Sequence, residues 1–498
     1  MNFRQALKII GIIMLVMGAL MIIPIAVALG YGEDDWVYFL YTMIPSMAIG
    51  LAFFLIPNKA RNIHASDGFM IVAIGWIVVS AIAAVPLTIS GYIPSFLNAM
   101  FETVSGFSTT GASAMPDVEI LSYSMQFWRI FTNWIGGMGI LVFIMAISPV
   151  AGKGTAIHLL RAESPGPETE KMSPKMGSNS RWLYGIYGGM TLAQIGALMI
   201  AGMDWYHATL VAFGTMATGG FAYLNTSMAA LTMAQQTITT IFMVLAGINF
   251  GLFFLMLTGK FREAIKNEEM LTYLGIYVVS VALITLSIAG IGEFSSTGEA
   301  IHHAAFSVAS VITTTGYTSC DMNVWPTFAK NLCLLLMFFG ACAGSTAGGI
   351  KISRIGIAFK GIRTNLKKLM HPRTVGSTRY SGRELTESYV SSVVIYIVLF
   401  AVIYAVSVAI VCLDPIADFE AAFAAVDTTI NNNGVGLYGA FGSFDRFQWY
   451  SRVVFIIDML IGRLEIYPIM VLFSVILSPA KNGGRILIKK LSGAGRGE

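Results

Sequence analysis

The sequence predicts an all-α polytopic membrane protein: two leading transmembrane helices, then four parallel span–pore helix–span repeats around a central pore. Three observations predict it. Of 498 residues, 56% are hydrophobic and only 12% charged, and the mean hydropathy is +0.72; a soluble domain carries about 25% charged residues. Apolar runs of spanning length recur along the whole chain. Between them, connectors rich in Lys and Arg alternate with connectors rich in Asp and Glu.

The first two runs, 6–28 and 37–56, are the leading spans. Arg4 and Lys8 precede the first in the manner of a signal peptide, but no small-residue cleavage site follows, so the run is expected to be retained. Four pairs of longer runs come next: 68–90 with 123–148, 182–203 with 236–258, 270–292 with 327–357, and 388–413 with 447–478. Within each pair lies a shorter apolar stretch, at 94–108, 206–217, 300–313 and 417–430. A span needs about 20 residues, so these four are too short to cross a bilayer. The corresponding divisions are 1–67 for the leading helices, 68–150, 151–262 and 263–360 for the first three repeats, and 361–498 for the fourth with its tail.

Charge decides what the short stretches do. Lys59 and Arg61 follow the second span; Lys153, Arg161, Lys171, Lys175 and Arg181 the fourth; Lys260, Arg262 and Lys266 the sixth. Lys360, Arg363, Lys367 and Lys368 follow the eighth, and Lys481, Arg485, Lys489 and Lys490 lie near the end of the chain. The connectors holding the short stretches carry Asp117, Glu119, Asp204, Glu293, Glu299, Asp321, Asp414 and Asp418 instead. By the positive-inside rule the basic connectors and both termini face the cytoplasm. Each short stretch therefore enters and leaves on the outer side. Backbone that re-enters a membrane is tolerated only where protein buries it or where it lines a watery cavity.

Each short stretch ends in a polar turn. The turns are Ser108-Thr109-Thr110-Gly111, Ala217-Thr218-Gly219-Gly220, Thr313-Thr314-Thr315-Gly316 and Asn431-Asn432-Asn433-Gly434. Phe101, Phe306 and Phe423 precede three of the glycines by ten, ten and eleven residues, and the glycines are 109, 96 and 118 residues apart. That is repeat-scale regularity. In the second turn Gly219 competes with Gly220 as the central residue, and in the fourth Gly436 competes with Gly434; the match of Gly220-Phe221 to Gly316-Tyr317 and the spacing from Phe423 select Gly220 and Gly434. A dehydrated monovalent cation needs several oxygen ligands, and rings of backbone carbonyls supply them without trapping charge. Glycine is the residue that lets a loop turn its carbonyls inward. The candidate ion-binding residues are thus Thr110, Gly111, Gly219, Gly220, Thr315, Gly316, Asn433 and Gly434. The bland alternative is that these glycines merely cap helices.

Two features point to a gate. Arg463 lies within the last apolar run near Asp458 and Glu465, where an ionisable residue faces either a cavity or a pairing partner. The eighth run is interrupted by Gly340-Ala341-Cys342-Ala343-Gly344-Ser345-Thr346-Ala347-Gly348-Gly349 and then Lys351, a break that either enters the cavity or packs helices closely. Gly344, Gly348, Gly349, Lys351 and Arg463 are the candidate gate residues. Glu102 and Asp427, in the first and fourth short helices, either hold a neighbouring loop through N–H or hydroxyl partners, which is the expectation, or draw cations to the mouth. His207, His302 and His303 show no metal-ligand pattern, and Cys320, Cys333, Cys342 and Cys412 form neither a metal nor a disulfide spacing.

At the four turns the sequence resembles the Trk/Ktr/HKT superfamily of potassium transporters over about 68–478, and its two leading spans are similar to the TrkH-type branch. The resemblance implies a K⁺-selective pore with one filter glycine per repeat, at Gly111, Gly220, Gly316 and Gly434. It implies an intramembrane loop at 340–351 and a charged barrier at Arg463. It further implies a homodimer in the bacterial inner membrane and a cytosolic nucleotide-binding regulatory subunit of the TrkA type, docking on connectors 149–181 and 358–388. K⁺ is then cargo. No organic cofactor, catalytic residue or nucleic-acid partner is expected. An H⁺- or Na⁺-coupled secondary transporter, and a receptor without flux, are the rival readings.

Overall fold

A computed structural model describes residues 3–56, 65–137, 139, 176–290, 294, 296–371, 377–437, 443–464, 466 and 468–470. The later parts of the expected spans 123–148 and 447–478, most of connector 149–181, Glu465 and the basic tail lie outside the described residues. Among the described residues six helices are long and apolar enough to span a membrane, and one bent pair makes a seventh candidate.

The leading element is α1 (Phe3–Leu20) running through α2 (Ile22–Tyr31), followed by α3 (Trp36–Phe54). Small residues let α1 and α3 touch backbone to backbone: a Cβ on Gly11 would lie 2.7 Å from the Gly50 carbonyl oxygen, and one on Gly50 2.9 Å from that of Gly11. Close approach through small residues is how helices associate where no hydrophobic effect drives them together. The pair is fastened to the first repeat by the acidic link between α2 and α3. Glu33 accepts from the backbone N–H groups of Tyr123 (2.6 Å) and Ser124 (3.0 Å), at the start of a helix where orphan donors and the dipole favour an anion.

The first repeat is α4 (Ala65–Ile89), α5 (Phe96–Phe107) and α6 (Tyr123–Gly137). The second is α7 (Met176–Ile200), α8 (Trp205–Met216), α9 (Met233–Ala246) and α10 (Phe250–Leu257), with the short α11 (Phe261–Ile265) after it. The third is α12 (Glu268–Ile288), α13 (Thr297–Ile312), α14 (Thr327–Met337) and α15 (Ile352–Met370). A hairpin of β1 (Thr378–Tyr380) and β2 (Arg383–Leu385) leads to the fourth: α16 (Glu387–Val411), α17 (Phe419–Ile430) and α18 (Trp449–Leu464).

Burial separates the layers. The outer helices expose large apolar side chains such as Leu192 (70%) and Leu286 (79%), as a lipid-facing surface should. The four short helices α5, α8, α13 and α17 are nearly enclosed although they carry Glu102, Ser105, Ser307, Ser310, Asp427 and Thr428, all at 2% or less. Three of them start at polar caps legible in the sequence. Asp204 accepts from the N–H groups of Tyr206 and His207, Ser296 from Glu299 and Asp418 from Ala421, which satisfies first-turn donors.

Two expected spans are not single helices. The run 236–258 bends by 90° between α9 and α10, at Gly247-Ile248-Asn249. Asn249 caps the new helix by accepting from Gly251 N–H at 2.7 Å. The run 327–357 is the 11-residue α14, an irregular loop, and then α15. The two breaks face each other: Cys342 N–H donates to the Gly247 carbonyl (3.0 Å), and Phe250 N–H to that of Gly344 (3.0 Å). Backbone groups freed in one broken helix are met by the other, which is the condition for irregular backbone at membrane depth.

Candidate functional site

The four turns meet. A Cβ on Gly111 would lie 3.3 Å from the carbonyl carbon of Gly220, and one on Gly220 would lie 2.9 Å from that of Thr315. A Cβ on Gly316 would lie 2.7 Å from Gly434 Cα, and one on Gly434 2.9 Å from the carbonyl carbon of Gly111. The order 111, 220, 316, 434 and back to 111 closes a ring in which each glycine faces the backbone of the next repeat. No side chain fits there.

The turns share one backbone conformation that the sequence reading missed. The last α-helical carbonyls are closed by paired bonds: Thr110 N–H to Ser105 (2.9 Å) and Thr109 N–H to Gly106 (3.0 Å). The same pairs recur as Gly219 to Gly214 and Thr218 to Thr215, Thr315 to Ser310 and Thr314 to Val311, and Asn433 to Thr428 and Asn432 to Thr429. This is the Schellman closure, in which the residue after the cap is left-handed and usually glycine. Here that residue is Thr109 (φ 57°), Thr218 (52°), Thr314 (56°) and Asn432 (54°). Positive φ is a strained outlier for a β-branched residue. The glycines therefore do not cap the helices; they stand two residues further on, at φ 82°, 65° and 86° for Gly111, Gly220 and Gly316. Gly434 does not share the positive φ and is held in the ring by close approach alone. The common left-handed residue selects Gly220 over Gly219, and Gly434 over Gly436, as the equivalent positions.

Side chains tie each turn to its neighbours. Asn432 Nδ2 donates to Thr110 Oγ1 (2.9 Å), and Asn433 Nδ2 to the Val311 carbonyl (2.9 Å). Tyr317 hydroxyl donates to the Phe221 carbonyl (3.3 Å), and Met228 N–H to that of Thr318 (3.0 Å). Within their own turns Thr110 meets Ser108 and Thr315 meets Thr313, each hydroxyl pair at 2.7 Å. Gly219 packs on the Asn133 amide, 2.6 Å from where its Cβ would be.

Glu102 and Asp427 behave as expected. Asp427 accepts from Asn431 Nδ2 at 2.6 Å. Glu102 accepts from the Ser113 hydroxyl (3.0 Å) and Ala114 N–H (2.8 Å) just beyond the first glycine. The sequence reading passed over its main partner. Arg129 on α6 pairs with Glu102 at 2.6 Å, both almost fully buried. It also donates to the Ala222 carbonyl (2.9 Å) and lies over the Phe221 ring at 3.7 Å. An ionisable residue inside an apolar run, with a carboxylate on the adjacent short helix, was the available signal.

The glycine-rich loop 338–351 lies against the same turns, on the side where the short helices end. Gly348 N–H donates to the Thr314 hydroxyl at 2.8 Å, and a Cβ on Gly348 would lie 2.7 Å from the Asn431 carbonyl oxygen. Thr346 hydroxyl donates to the Met216 carbonyl (3.1 Å) at the end of α8, and Ala341 N–H to that of Ile312 (3.2 Å) at the end of α13. The loop thus contacts three of the four repeats. Lys351 Nζ donates to the carbonyls of Ala347 and Gly348. Gly344 and Gly349 take positive φ, 76° and 63°. Arg463 reaches the fourth side: its guanidinium donates to the Thr346 carbonyl (2.6 Å) and to those of Gly136 (2.5 Å) and Gly137 (2.6 Å) at the end of α6. Asp458 meanwhile accepts from the Ser407 hydroxyl at 2.8 Å.

Known proteins share this fold. A family model described as a cation transport protein, TrkH, matches residues 37–484. The chain is 34% identical to the Trk system potassium uptake protein TrkH of Escherichia coli strain K12, over 95% of this chain and 99% of that one. It is 32% identical to that organism's Trk system potassium uptake protein TrkG, over 91% and 94%. The crystal structure of the potassium transporter TrkH from Vibrio parahaemolyticus superposes with a TM-score of 0.85 at 30% identity, covering 95% of this chain and 98% of that one. With four glycine turns closed into one ring inside a multi-pass helical membrane fold, the chain belongs to the TrkH family of cation transport proteins.

Proposed function

We propose that this protein is the pore-forming subunit of a potassium uptake system, passing K⁺ through the ring of Gly111, Gly220, Gly316 and Gly434. The observation that carries the reading is the cyclic approach of the four glycines, one from each repeat. Thr110, Gly219, Thr315 and Asn433 precede them and supply further carbonyls to the same ring. Four short helices end at this ring, so the negative ends of their dipoles favour a cation beside it. The potassium uptake proteins among its relatives give the ion.

Loop 338–351 and Arg463 are the gate. A guanidinium beside the end of α6 and a loop against three helix ends present sterics and positive charge to an ion leaving the ring. Repeats divided at 68–150, 151–262, 263–360 and 361–498 each contribute one turn. The basic connectors support a cytoplasmic loop side with both termini inside, and the bacterial relatives support an inner membrane location. There a cytosolic nucleotide-binding subunit docks on a homodimer of this chain. No step requires an organic cofactor or a catalytic residue.

Gly316→Ser tests the filter. Adding a side chain at a positive-φ position that touches Gly434 costs about 1–3 kcal/mol of strain and deforms the ring, so selectivity for Rb⁺ and K⁺ over Na⁺ in proteoliposomes should fall about tenfold. An unchanged ion ratio in folded protein sinks the proposal. Flux that runs only with an imposed H⁺ or Na⁺ gradient favours coupled transport instead.

A further inference from the structure

Two adjacent carboxylates at the start of α12 connect the loop under the ring to the hairpin on the basic side. Glu269, 7% exposed, accepts from Ala343 N–H (2.7 Å) and from Ser353 N–H (3.1 Å), both on Oε1. Ala343 lies within the loop; Ser353 lies in the first turn of α15, directly after it. One carboxylate therefore ties the loop interior to the start of α15, beside the neck that Gly340 N–H to Ile350 and Ile352 N–H to Ala341 close. It also caps α15 from another helix, since first-turn N–H groups have no partner of their own and favour an anion.

The neighbouring Glu268 faces the other way. It accepts from Ser381 N–H at 2.8 Å and pairs with Lys360 of α15. Ser381-Gly382 is the two-residue turn of the hairpin, with φ 48° and 74°, the primed geometry that matches strand twist. Tyr380, one residue before the turn, is 9% exposed and packs on Gly356 of α15, with Lys360 5.1 Å from its ring centroid. The hairpin rests on α15 and on Glu268, while Glu269 holds the loop.

We propose that Glu269 is a positioning residue that latches the intramembrane loop shut, and that Glu268 ties this latch to the 378–385 hairpin, so that displacement of the hairpin on the cytoplasmic side releases the loop. This rests on the reading of loop 338–351 as the gate. The chain of contacts is short: hairpin to Glu268, Glu269 to Ala343 and Ser353, loop to Thr314 in the third turn. An acceptor is required at position 269, and its charge strengthens both bonds.

Cys342 offers a readout independent of transport. It is 1% exposed and adjoins Ala343. In full-length protein with Cys320, Cys333 and Cys412 replaced by alanine, a maleimide should label Cys342 slowly in proteoliposomes. Glu269→Ala removes both bonds, and losing the charged one to Ala343 in the loop should raise labelling rate and basal Rb⁺ flux about tenfold, with the Rb⁺/Na⁺ ratio unchanged. Glu269→Gln keeps an acceptor oxygen and should return both readouts toward wild type; a defect in folding alone would not be rescued in this way. Glu268→Ala should raise both by a smaller factor. A wild-type labelling rate in Glu269→Ala overturns the latch, and a wild-type rate in Glu268→Ala overturns its link to the hairpin. Deleting within Gly344–Gly349 separates the two readings. Raised flux in the deletion with none in Glu269→Ala leaves the gate standing and removes the latch. Unraised flux in the deletion removes the gate.

Discussion

At the scale of single residues, the site is built from glycines with no room for a side chain and from backbone that ordinary residues disfavour. Thr109, Thr218 and Thr314 accept a left-handed backbone that costs about 1–2 kcal/mol each, and they keep their hydroxyls at the helix ends. In the third repeat the hydroxyl has a visible task, holding Gly348 N–H. Thr314→Val retains the branching and removes the acceptor, so basal Rb⁺ flux should rise several-fold, while Thr314→Ser should not raise it; equal flux in both shows that the bond does not restrain the loop. In the acidic connector after the first turn, Asp117 accepts from Asn225 Nδ2 at 2.7 Å. That bond, together with Glu119 N–H, holds its carboxyl below the ordinary carboxylate range. A depressed folded value contributes stability that is present above the unfolded value of about 3.9 and is lost as pH falls through the folded one. Asn225→Leu should therefore flatten the pH dependence of the melting temperature below about pH 4, measured by thermal scanning in detergent. A profile identical to wild type removes this role.

At the scale of elements, the buried Arg129–Glu102 pair joins α5 and α6 to the second repeat through the Ala222 carbonyl and Phe221. Breaking such a pair leaves one buried charge without its counter-ion, at about 3–5 kcal/mol. Glu102→Ala or Arg129→Ala should each lower the melting temperature sharply. Glu102→Leu with Arg129→Met should recover much of the loss, because no charge then remains. A double variant as unstable as the singles shows that the hydrogen bonds to Ser113, Ala114 and Ala222 matter more than charge balance. The broken helices follow related physics. Gly247-Ile248-Asn249 and loop 338–351 leave backbone groups unsatisfied separately and satisfy them together.

At the scale of the whole molecule, Arg463 joins the last helix, the loop and the end of α6 through three carbonyls. A charge-bearing barrier and a structural tie make different predictions for it. Arg463→Gln should raise basal flux about tenfold if the charge opposes cation passage, since removing about 1.4 kcal/mol from a barrier gives that factor. Lowered folded yield with unchanged flux per molecule marks it as a tie only. The three carbonyls already show that ion pairing with Asp458 does not account for its position, because Asp458 sits with Ser407.

The sequence by itself determined the membrane class, the two leading helices, the four repeats and the four turns. These follow from hydropathy, from alternation of charge and from spacing, each a property of local sequence that a bilayer reads directly. It also located the break at Gly340–Gly349, because small residues in series do not sustain a span. Only the tertiary structure decided the rest. Spacing along the sequence selected Gly220 and Gly434, and the structure adds the common left-handed conformation two positions before each, which Thr109, Thr218 and Thr314 adopt against local preference because their surroundings hold them. The bend at Gly247 was unreadable because its stability comes from a loop almost a hundred residues away. Arg129, Glu268 and Glu269 acquire their roles from partners on other elements, far away along the chain. Closure of the ring is itself a long-range fact: each glycine has room only because the next repeat presents bare backbone to it.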